Sequence, residues 1–551
     1  MKNILISILS LCLFSAMGCS DFLKEEDLAE ITSDSYYQTV EGYESLINSC
    51  YATLRDVYGG SPWVFSAGTD MFVEGRSLQP EGISEYRNLT PQTDEVESFY
   101  STLYKSIQLC NTALYYNDKT VKDSSLSERK GEIEFLRSYY YFLLVQSFGG
   151  VSIVENRIDD PILEFKRNSA ADVYNFVIKQ MKDALELVPE SSEEGRVNKR
   201  VVRFYLAKVY LTRGYQDFAG SDDFAQAASY ADKAINDQPL SLSFKDVFWP
   251  GNEDNEGIIF AVQYDQGSIV DPKSDGNQQN YFFGPYMGGE GAIYGYPYRA
   301  YALCPTMYLF DLYTQYDSRF KGTFMINFYD RYYDFYDKND ELNELNIQYY
   351  YAPRWALNDT TSWRQEDPTH RSNTEIIPYS NKWQASPQTT LDNATPAIRK
   401  FDDPKSAFGQ RSNTRDIFLA RLSEAYLIAA EAYYKEGNLP QATARINAVR
   451  KRAALPGHKS DMTVTGGQIN IDFILDERAR ELAGEYHRWF DLKRTGQLVN
   501  HTKKYNRDIK NWFDQGINPF QGTDGNLKIL RPIPQEALDL NQGDYSQNPG
   551  Y

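Results

Sequence analysis

The 551-residue chain has few of the side chains that most often hold metal ions or form disulfides: five cysteines and four histidines. The cysteines show no CxxC spacing and the histidines show no HExxH or HxH spacing, which excludes the common zinc sites. GxSxG, P-loop and GxGxxG motifs are also missing. We therefore expect no metal ion and no cofactor, and we expect Cys50, Cys110 and Cys304 to be buried free thiols.

Basic side chains are too few for a nucleic-acid-binding protein, because 57 Lys and Arg face 76 Asp and Glu and the formal net charge is −19. Phosphate binding needs clustered basic groups that release counterions. The 42% hydrophobic and 24% charged residues are typical of a folded protein, not of a disordered or multi-span membrane chain. The length allows two to four domains, or one repeat-built body that carries insertions.

The N-terminus has one hydrophobic run, residues 4–14, which is too short to span a membrane. It leads into the sequence SAMGC at residues 15–19, and a small residue directly before a cysteine resembles the bacterial lipobox. This pattern predicts that residues 1–18 are a lipoprotein signal peptide and that an acylated Cys19 anchors the chain to a membrane. Residues 19–38 are then a polar, acidic tether. A plain signal peptide with an incidental Cys19 is the alternative.

Residues 39–239 follow a helical pattern, and one spacing of small and apolar residues occurs three times in the chain. Steps of four, three and five residues separate Val177, Met181, Ala184 and Pro189, and again Ala227, Ala231, Ala234 and Pro239; the first two steps return at Ala442, Ile446 and Val449. This spacing matches the second helix of a 34-residue tetratricopeptide unit, in which small residues let two helices approach. It predicts a mainly α fold, an α–α superhelix of stacked helix pairs.

Residues 240–413 lose this periodicity and are rich in Gly, Pro, Asn, Asp and aromatic residues. Sixteen of the 43 tyrosines lie between positions 281 and 351, so the aromatic residues concentrate where regular structure is weakest. Long segments without regular structure are uncommon in compact proteins and often carry function. We therefore expect a large, loop-rich insertion in the helical body and a ligand-binding role for it.

The C-terminal region, residues 414–551, carries a series of motifs in a fixed order. They are LSEAYLIAAEA at 422–432, INAVR at 446–450, DERAREL at 476–482, RWFDLKR at 488–494, RPIP at 531–534 and QNPGY at 547–551. Together with LRSYYYF at 136–142, FGG at 148–150, Pro305-Thr306 and the lipobox, this series resembles the SusD/RagB family of nutrient-binding outer-membrane lipoproteins. The resemblance covers the mature chain and weakens only in the aromatic middle.

The resemblance implies a SusD-like fold and a binding protein that is not an enzyme. Members of the family lie as a lid on a SusC-like TonB-dependent outer-membrane transporter and capture oligosaccharides, less often peptides, for import. The acidic stretch after Cys19 resembles the signal that sends such lipoproteins to the extracellular face of the outer membrane. The expected partners are therefore the transporter, an oligosaccharide and the outer membrane, with no nucleic acid.

Two regions offer what sugar binding requires, namely flat aromatic faces beside planar hydrogen-bonding groups. The candidate ligand-binding residues of the first region, between helices, are Trp63, Asp70, Arg76 and Tyr86. Those of the loop-rich middle are Tyr294, Tyr296, Tyr298, Trp355, Trp363, Arg371 and Trp383. For each aromatic residue the alternative is burial beneath its own loop.

Other functions stay open at this stage. A surface glycoside hydrolase would need two carboxylates, such as Asp70 with Glu74, and a protein scaffold would use only the helical repeats. Asp337, Asn339 and Glu341 alternate oxygen ligands that suit calcium, although a solvated loop explains them better. The charged residues of 477–494 fall at helical separations, so we predict that they pair with one another and fix the fold.

Overall fold

The computed structural model describes residues 33–76, 79–271, 275–287, 297, 299–384, 394–406 and 409–551. The predicted signal peptide and Cys19 lie outside these residues. The fold is mainly helical, as expected, with short strands in the middle of the chain. No helix in the described part of the chain is long and apolar enough to cross a membrane.

The helices of eight or more residues belong to the two ends of the chain. They are α1 (Val40–Tyr58), α2 (Asp94–Asn117), α3 (Leu126–Phe148), α4 (Ala170–Leu187), α5 (Lys199–Arg213), α6 (Asp223–Ile235), α7 (Leu422–Lys435), α8 (Leu439–Ala453), α9 (Ile471–Glu481), α10 (Leu498–Tyr505) and α11 (Arg507–Asp514). Shorter helices include Ser33–Tyr36, Trp63–Ser66, Glu81–Glu85, Phe244–Val247, Gln279–Phe283, Met307–Asp311, Arg319–Thr323, Asp334–Asp337, Thr360–Glu366, Pro368–Arg371, Lys459–Met462, Arg488–Arg494 and Gln535–Leu540.

Local sequence explains where several helices begin. Ser169 and Asp172 form a reciprocal capping box at the start of α4, and the Asn198 side chain accepts a hydrogen bond from the Val201 amide at the start of α5. Asn438 caps α8 in the same way, with a proline in its first turn. These caps satisfy amides that the helices leave without an internal partner.

Neighbouring helices pack in chain order, α3 on α4, α5 on α6 and α7 on α8. The positions of the repeated spacing are all completely buried: Val177, Met181, Ala184, Ala227, Ala231, Ala234, Ala442, Ile446 and Val449. Helix α6 also packs directly on α7, although about 190 residues of chain separate them. The superhelix is therefore continuous in space, and the irregular middle is an insertion between two of its consecutive helices.

The strands lie mostly within this insertion. They are β1 (Phe72–Glu74), β2 (Ile258–Val262), β3 (Leu303–Pro305), β4 (Phe324–Met325), β5 (Asn327–Tyr329), β6 (Ile347–Ala352), β7 (Glu375–Pro378), β8 (Ala397–Ile398) and β9 (Ile417–Arg421). Antiparallel pairs join β1 to β3, β2 to β9, β4 to β8 and β5 to β6, and β7 runs parallel to β6. The β2–β9 pair joins the two ends of the insertion, since Ile258 lies opposite Arg421.

The charged residues of the C-terminal motifs form a buried ion-pair network, as predicted. Arg319 from the insertion lies between Asp317, Glu477 and Glu481, and all four side chains are nearly or fully buried. Arg478, which lies on α9 with Glu477 and Glu481, pairs with Glu424 and Asp491. These groups tie α7, α9 and the insertion together.

Two further expectations concerned the cysteines and the oxygen ligands considered for calcium. Cys50, Cys110 and Cys304 are buried and free, as predicted. The amine of Lys245 donates a hydrogen bond of 3.0 Å to Asn339 Oδ1, and Arg331 lies 3.5 Å from Asp337. A cation therefore already lies beside two of the oxygen groups considered for calcium, and the solvated-loop interpretation fits better.

Candidate functional site

The two regions that the sequence analysis singled out meet in space. Trp63, at the start of its short helix, makes an edge contact with Phe282 of the insertion, with ring centroids 4.9 Å apart. The pairing of β1 with β3 continues past the strand, since the Arg76 amide donates to the carbonyl of Tyr301. The Arg76 guanidinium lies over the Tyr286 ring, 3.3 Å from its centroid. Residues more than 200 positions apart thus share one surface.

The short helix Gln279–Phe283 presents the aromatic part of this surface. Its carbonyls at Tyr281 and Phe282 accept hydrogen bonds from the amides of Ala300 and Ala302, at 2.9 and 3.0 Å. Phe283 points into the core and is fully buried, whereas the two residues before it are half-buried. Backbone hydrogen bonds therefore fix these two rings at the surface before any ligand arrives.

We name the Trp63 surface by six residues in two contact groups: Trp63, Tyr281, Phe282 and Arg411 form one group, and Arg76 with Tyr286 forms the other. Backbone hydrogen bonds link the two groups, since the Ala302 amide donates to the Phe282 carbonyl and the Gly75 amide donates to the Ala302 carbonyl. The guanidinium of Arg411 lies 5.1 Å from the centroid of the Tyr281 ring, and that ring makes an edge contact with Phe282. Half-exposed rings beside exposed guanidinium groups combine an apolar face with directed hydrogen-bond donors. This combination suits a polar ligand with flat apolar faces.

Some of the predicted site residues lie where the structure does not describe the chain. Tyr294, Tyr296 and Tyr298 are outside the described residues, so their part in a site stays a prediction. They lie between Tyr286 of the Trp63 surface and Arg299 in the sequence.

Three predicted ligand-binding residues are core residues, and those predictions are wrong. Asp70 has no exposed surface, and its carboxylate accepts hydrogen bonds from Arg488 at 2.6 and 2.8 Å and from His501 at 2.9 Å. Burial alone would raise the pKa of Asp70, but the Arg488 guanidinium outweighs it and the pKa is lowered.

The other two corrections concern aromatic rings. Tyr86 is 1% exposed; its hydroxyl donates to the Gly68 carbonyl and accepts from the Trp489 indole. Trp383 is completely buried, with Phe310, Tyr351 and Tyr379 against its ring. For both rings the alternative given in the sequence analysis is correct: they are buried. Contacts with residues distant in the sequence supply each ring with an apolar environment.

Trp355, Trp363 and Arg371 remain half-buried but do not join the Trp63 surface. Trp363 stacks on Tyr350 with ring centroids 4.1 Å apart, and Arg371 lies over the Trp363 ring. Trp355 makes an edge contact with Phe320. These partners belong to the insertion's own packing: Trp363 and Arg371 form one contact group, and Trp355 packs on Phe320.

Four members of the Trp63 surface were missed from the sequence: Tyr281, Phe282, Tyr286 and Arg411. The run Tyr281-Phe282-Phe283 before Gly284-Pro285 was a usable signal, because three adjacent aromatic residues cannot all face the core of one short helix. Arg411 carries no comparable local signal.

Two features define the class of this protein. One is a superhelix of helical repeats with a loop-rich insertion, and the other is an aromatic surface where the insertion meets the N-terminal helices. The chain belongs to the SusD family, whose model matches residues 256–551. A second family model, described as starch-binding associating with outer membrane, matches residues 21–211. The family resemblance inferred from the motifs is thereby confirmed.

Relatives and solved structures agree with this assignment. SusD-like protein P2 of Formosa agariphila is 25% identical over 581 residues, covering all of both chains. Starch-binding protein SusD of Bacteroides thetaiotaomicron is 26% identical over 487 residues, which cover 84% of this chain and 80% of that protein. A laminarin-binding SusD-like protein has a TM-score of 0.67 at 22% identity, with 94% of this chain and 100% of that chain covered.

A further solved structure has the same architecture. Surface glycan-binding protein A from Bacteroides thetaiotaomicron, in complex with laminarihexaose, has a TM-score of 0.66 at 18% identity, with 93% of this chain and 100% of that chain covered. At this level of identity, the similarity establishes a shared fold.

Proposed function

We propose that this protein is a cell-surface glycan-binding lipoprotein that captures an oligosaccharide on the Trp63 surface and passes it to a SusC-like TonB-dependent transporter. The observation that carries the proposal is the preformed cluster of half-exposed rings and guanidinium groups around Trp63. Relatives named for starch and laminarin binding share the family or the fold, which supports a glycan as the ligand.

The binding step needs no catalysis. Asp70, the carboxylate considered for a hydrolase, is held in the core by Arg488 and has no exposed atom to meet a glycosidic bond. The particular pair considered for hydrolysis, Asp70 with Glu74, is therefore not available to a substrate. We therefore propose capture without cleavage, and incubation with a bound glycan should release no new reducing ends.

Titration calorimetry of the unlipidated protein against laminarin, starch, other oligosaccharides and peptides tests the ligand class. We expect one class of glycan to bind, and Trp63→Ala and Arg76→Ala each to weaken that binding at least about fivefold, or ~1 kcal/mol, as for anchors at the centre of an interface. Trp363→Ala is the matched control, an aromatic ring in the insertion whose neighbours are Tyr350 and Arg371, and it should leave affinity unchanged.

Three outcomes would count against this assignment. Binding of peptides alone would replace the glycan with a peptide as the cargo. Equal losses in Trp63→Ala and Trp363→Ala would remove the Trp63 surface from the site. New reducing ends from the wild-type protein would indicate a hydrolase.

The membrane and transporter steps have a separate test. We propose that an acyl group on Cys19 holds the protein on the outer face of the outer membrane, so Cys19→Ala should move it from the membrane to the soluble fraction. Purification of the lipidated protein in mild detergent should recover an outer-membrane transporter with it. Recovery of the protein without a transporter would contradict the proposed transfer of the glycan to a transporter, whatever the glycan titration shows.

A further inference from the structure

Two of the three buried cysteines lie on neighbouring helices. Cys50 is in the middle of α1 and Cys110 is in the second half of α2, and these two helices pack on each other. Neither side chain has any exposed surface. A side-chain hydrogen bond joins the two thiols, so the sulfur atoms already lie next to each other. The structure contains the reduced form of this pair.

The helices α1 and α2 run antiparallel. Just before α1 begins, the carbonyl of Gln38 accepts a hydrogen bond of 3.0 Å from the amide of Val121, four residues after α2 ends. Beyond the other end of α1, Phe65 makes an edge contact with Phe99 near the start of α2, with ring centroids 5.4 Å apart. The start of each helix therefore lies beside the end of the other.

A hydrogen bond between the two helices fixes their alignment. The Asn117 side chain on α2 donates 2.9 Å to the Tyr43 hydroxyl on α1. Cys50 lies seven residues after Tyr43, and Cys110 lies seven residues before Asn117. Seven residues make about two turns of a helix, so each cysteine lies on the same face as its reference residue and two turns away. This alignment places Cys50 opposite Cys110, in agreement with the contact between their thiols.

Cys304 lies in a different part of the core. Its thiol donates to the carbonyl of Tyr301 at 3.6 Å, and it belongs with Val73 and Tyr301 to a small separate cluster of buried residues. Cys304 therefore provides a buried thiol of the same kind that is away from the Cys50–Cys110 pair.

We propose that Cys50 and Cys110 form a disulfide in the exported protein, which joins α1 to α2 covalently. The two thiols lose two protons and two electrons as the S–S bond forms. Both pass to the disulfide of a periplasmic thiol oxidase, which becomes a dithiol. Disulfides form and persist in the periplasm and at the cell surface. The inference rests on the export to the cell surface proposed above, and not on the ligand that the Trp63 surface binds.

The bond has to form before the core closes. Thiol–disulfide exchange needs a thiolate on an accessible cysteine. In the folded chain burial, reinforced by Cys110, raises the pKa of Cys50 well above its usual value, and neither side chain is exposed. The same burial shields the finished bond from reductants. We therefore expect the bond to form during folding in the periplasm and to resist reduction in the folded protein.

The bond would strengthen the end of the protein that is nearest to its anchor. Helix α1 is the first long helix after the predicted tether, so a pull from the membrane reaches α1 before the rest of the body. A covalent link at Cys50 holds α1 to α2 even when hydrogen bonds nearer the tether break.

Thiol labelling of the mature lipoprotein, unfolded in urea, tests the bond. Among the three core cysteines we expect one maleimide label without reductant, on Cys304, and three labels after reduction. Peptide mapping without reductant should recover the peptide of Cys50 linked to that of Cys110. Labels on all three cysteines without reductant would overturn the proposal, and so would a bridge that involves Cys304 or a second chain.

The same labelling reports separately on the proposed location. An acylated Cys19 carries its lipid on the sulfur and takes no label, so a labelled Cys19 would contradict the lipoprotein anchor. The Cys50–Cys110 linkage is read from other peptides. Free thiols at Cys50 and Cys110 in a protein with an acylated Cys19 would overturn the disulfide and leave the location intact.

Urea unfolding with and without reductant gives an independent result. A disulfide between Cys50 and Cys110 closes a loop of about 60 residues and restricts the unfolded chain. We expect reductant, present throughout the unfolding of the wild type, to raise its unfolding equilibrium constant at least about tenfold. An equilibrium constant that reductant does not change would overturn the proposal.

Two variants separate the bond from packing. Cys304→Ala is the matched control: it removes a buried thiol but leaves the bond, so it should show the whole reductant effect. Cys50→Ala combined with Cys110→Ala has no bond to reduce, so reductant should leave its unfolding unchanged. A reductant effect that persists in this double variant would overturn the proposal equally.

Discussion

Replacing Arg319 with methionine is expected to lower the free energy of unfolding by about 3–5 kcal/mol, because it leaves buried carboxylates without their cation. The Arg319 guanidinium donates to both oxygens of Asp317, at 2.9 and 2.8 Å, and to Glu481 at 3.1 Å, and it lies 2.8 Å from Glu477. Urea unfolding followed by circular dichroism measures the loss. Lys510→Met is the control, since Lys510 pairs with Asp514 at the surface, and it should change stability by less than about 0.5 kcal/mol.

The pH dependence of this variant distinguishes charge from packing. Burial would raise the pKa of Glu477, but the surrounding guanidinium groups, led by Arg319, hold it well below its usual range. A lowered carboxyl pKa contributes stability above the unfolded pKa of about 4.3, and this contribution is lost as the pH falls. The difference between wild type and Arg319→Met should therefore shrink below pH ~4. A difference that stays constant with pH would indicate a packing defect.

Asp70→Ala is the second variant for which we expect a loss of about 3–5 kcal/mol, since Arg488 would be left as an unpaired buried charge. Asp183→Ala removes an exposed carboxylate that pairs with Lys179, and it should cost less than about 0.5 kcal/mol. Adding Arg488→Met to Asp70→Ala should recover part of the loss, because the charge and its partner are then both absent. Thermal unfolding of the four proteins provides the comparison.

The same variant decides whether Asp70 contacts the ligand. At a temperature where Asp70→Ala is fully folded, its glycan affinity should stay within about twofold of the wild type, because the side chain lies behind the surface. A large loss of affinity in the folded variant, without a loss of stability, would return Asp70 to the binding site.

The helical body was predictable because its signals are local. Small residues such as Ala231 and Ala234 recur at helical spacing, and this spacing alone places them at a helix–helix contact. The charged pairs of α9 were predictable for the same reason. The pairing of Arg319 with Glu477 was not predictable, since Arg319 lies in the insertion about 160 residues earlier in the chain. Nothing near Arg319 in the sequence indicates that Glu477 is its partner.

The aromatic site was predicted only in part because residue type does not determine burial. Trp63 and Trp383 both occur in irregular sequence, yet the structure buries Trp383 among rings from three other segments and leaves Trp63 half-exposed beside Phe282. Arg76 was found because it follows Trp63 closely, whereas Arg411 comes from the far end of the insertion. Contacts between segments that are distant in the sequence decide whether each of these residues is buried or exposed. No local pattern in a single sequence predicts such contacts.

The β2–β9 pair gives the insertion a narrow neck, with Val262 opposite Ile417 where the chain leaves and re-enters the superhelix. Because α6 and α7 already pack on each other, the loops beyond this neck are not needed to join the two halves of the helical body, although Arg319 within the insertion still stabilises it through Glu477 and Glu481. Lengthening a closed loop is cheap, since each doubling adds only about 0.6 kcal/mol of closure entropy. The binding loops can therefore change in length and sequence during evolution while the helical scaffold that carries them stays constant.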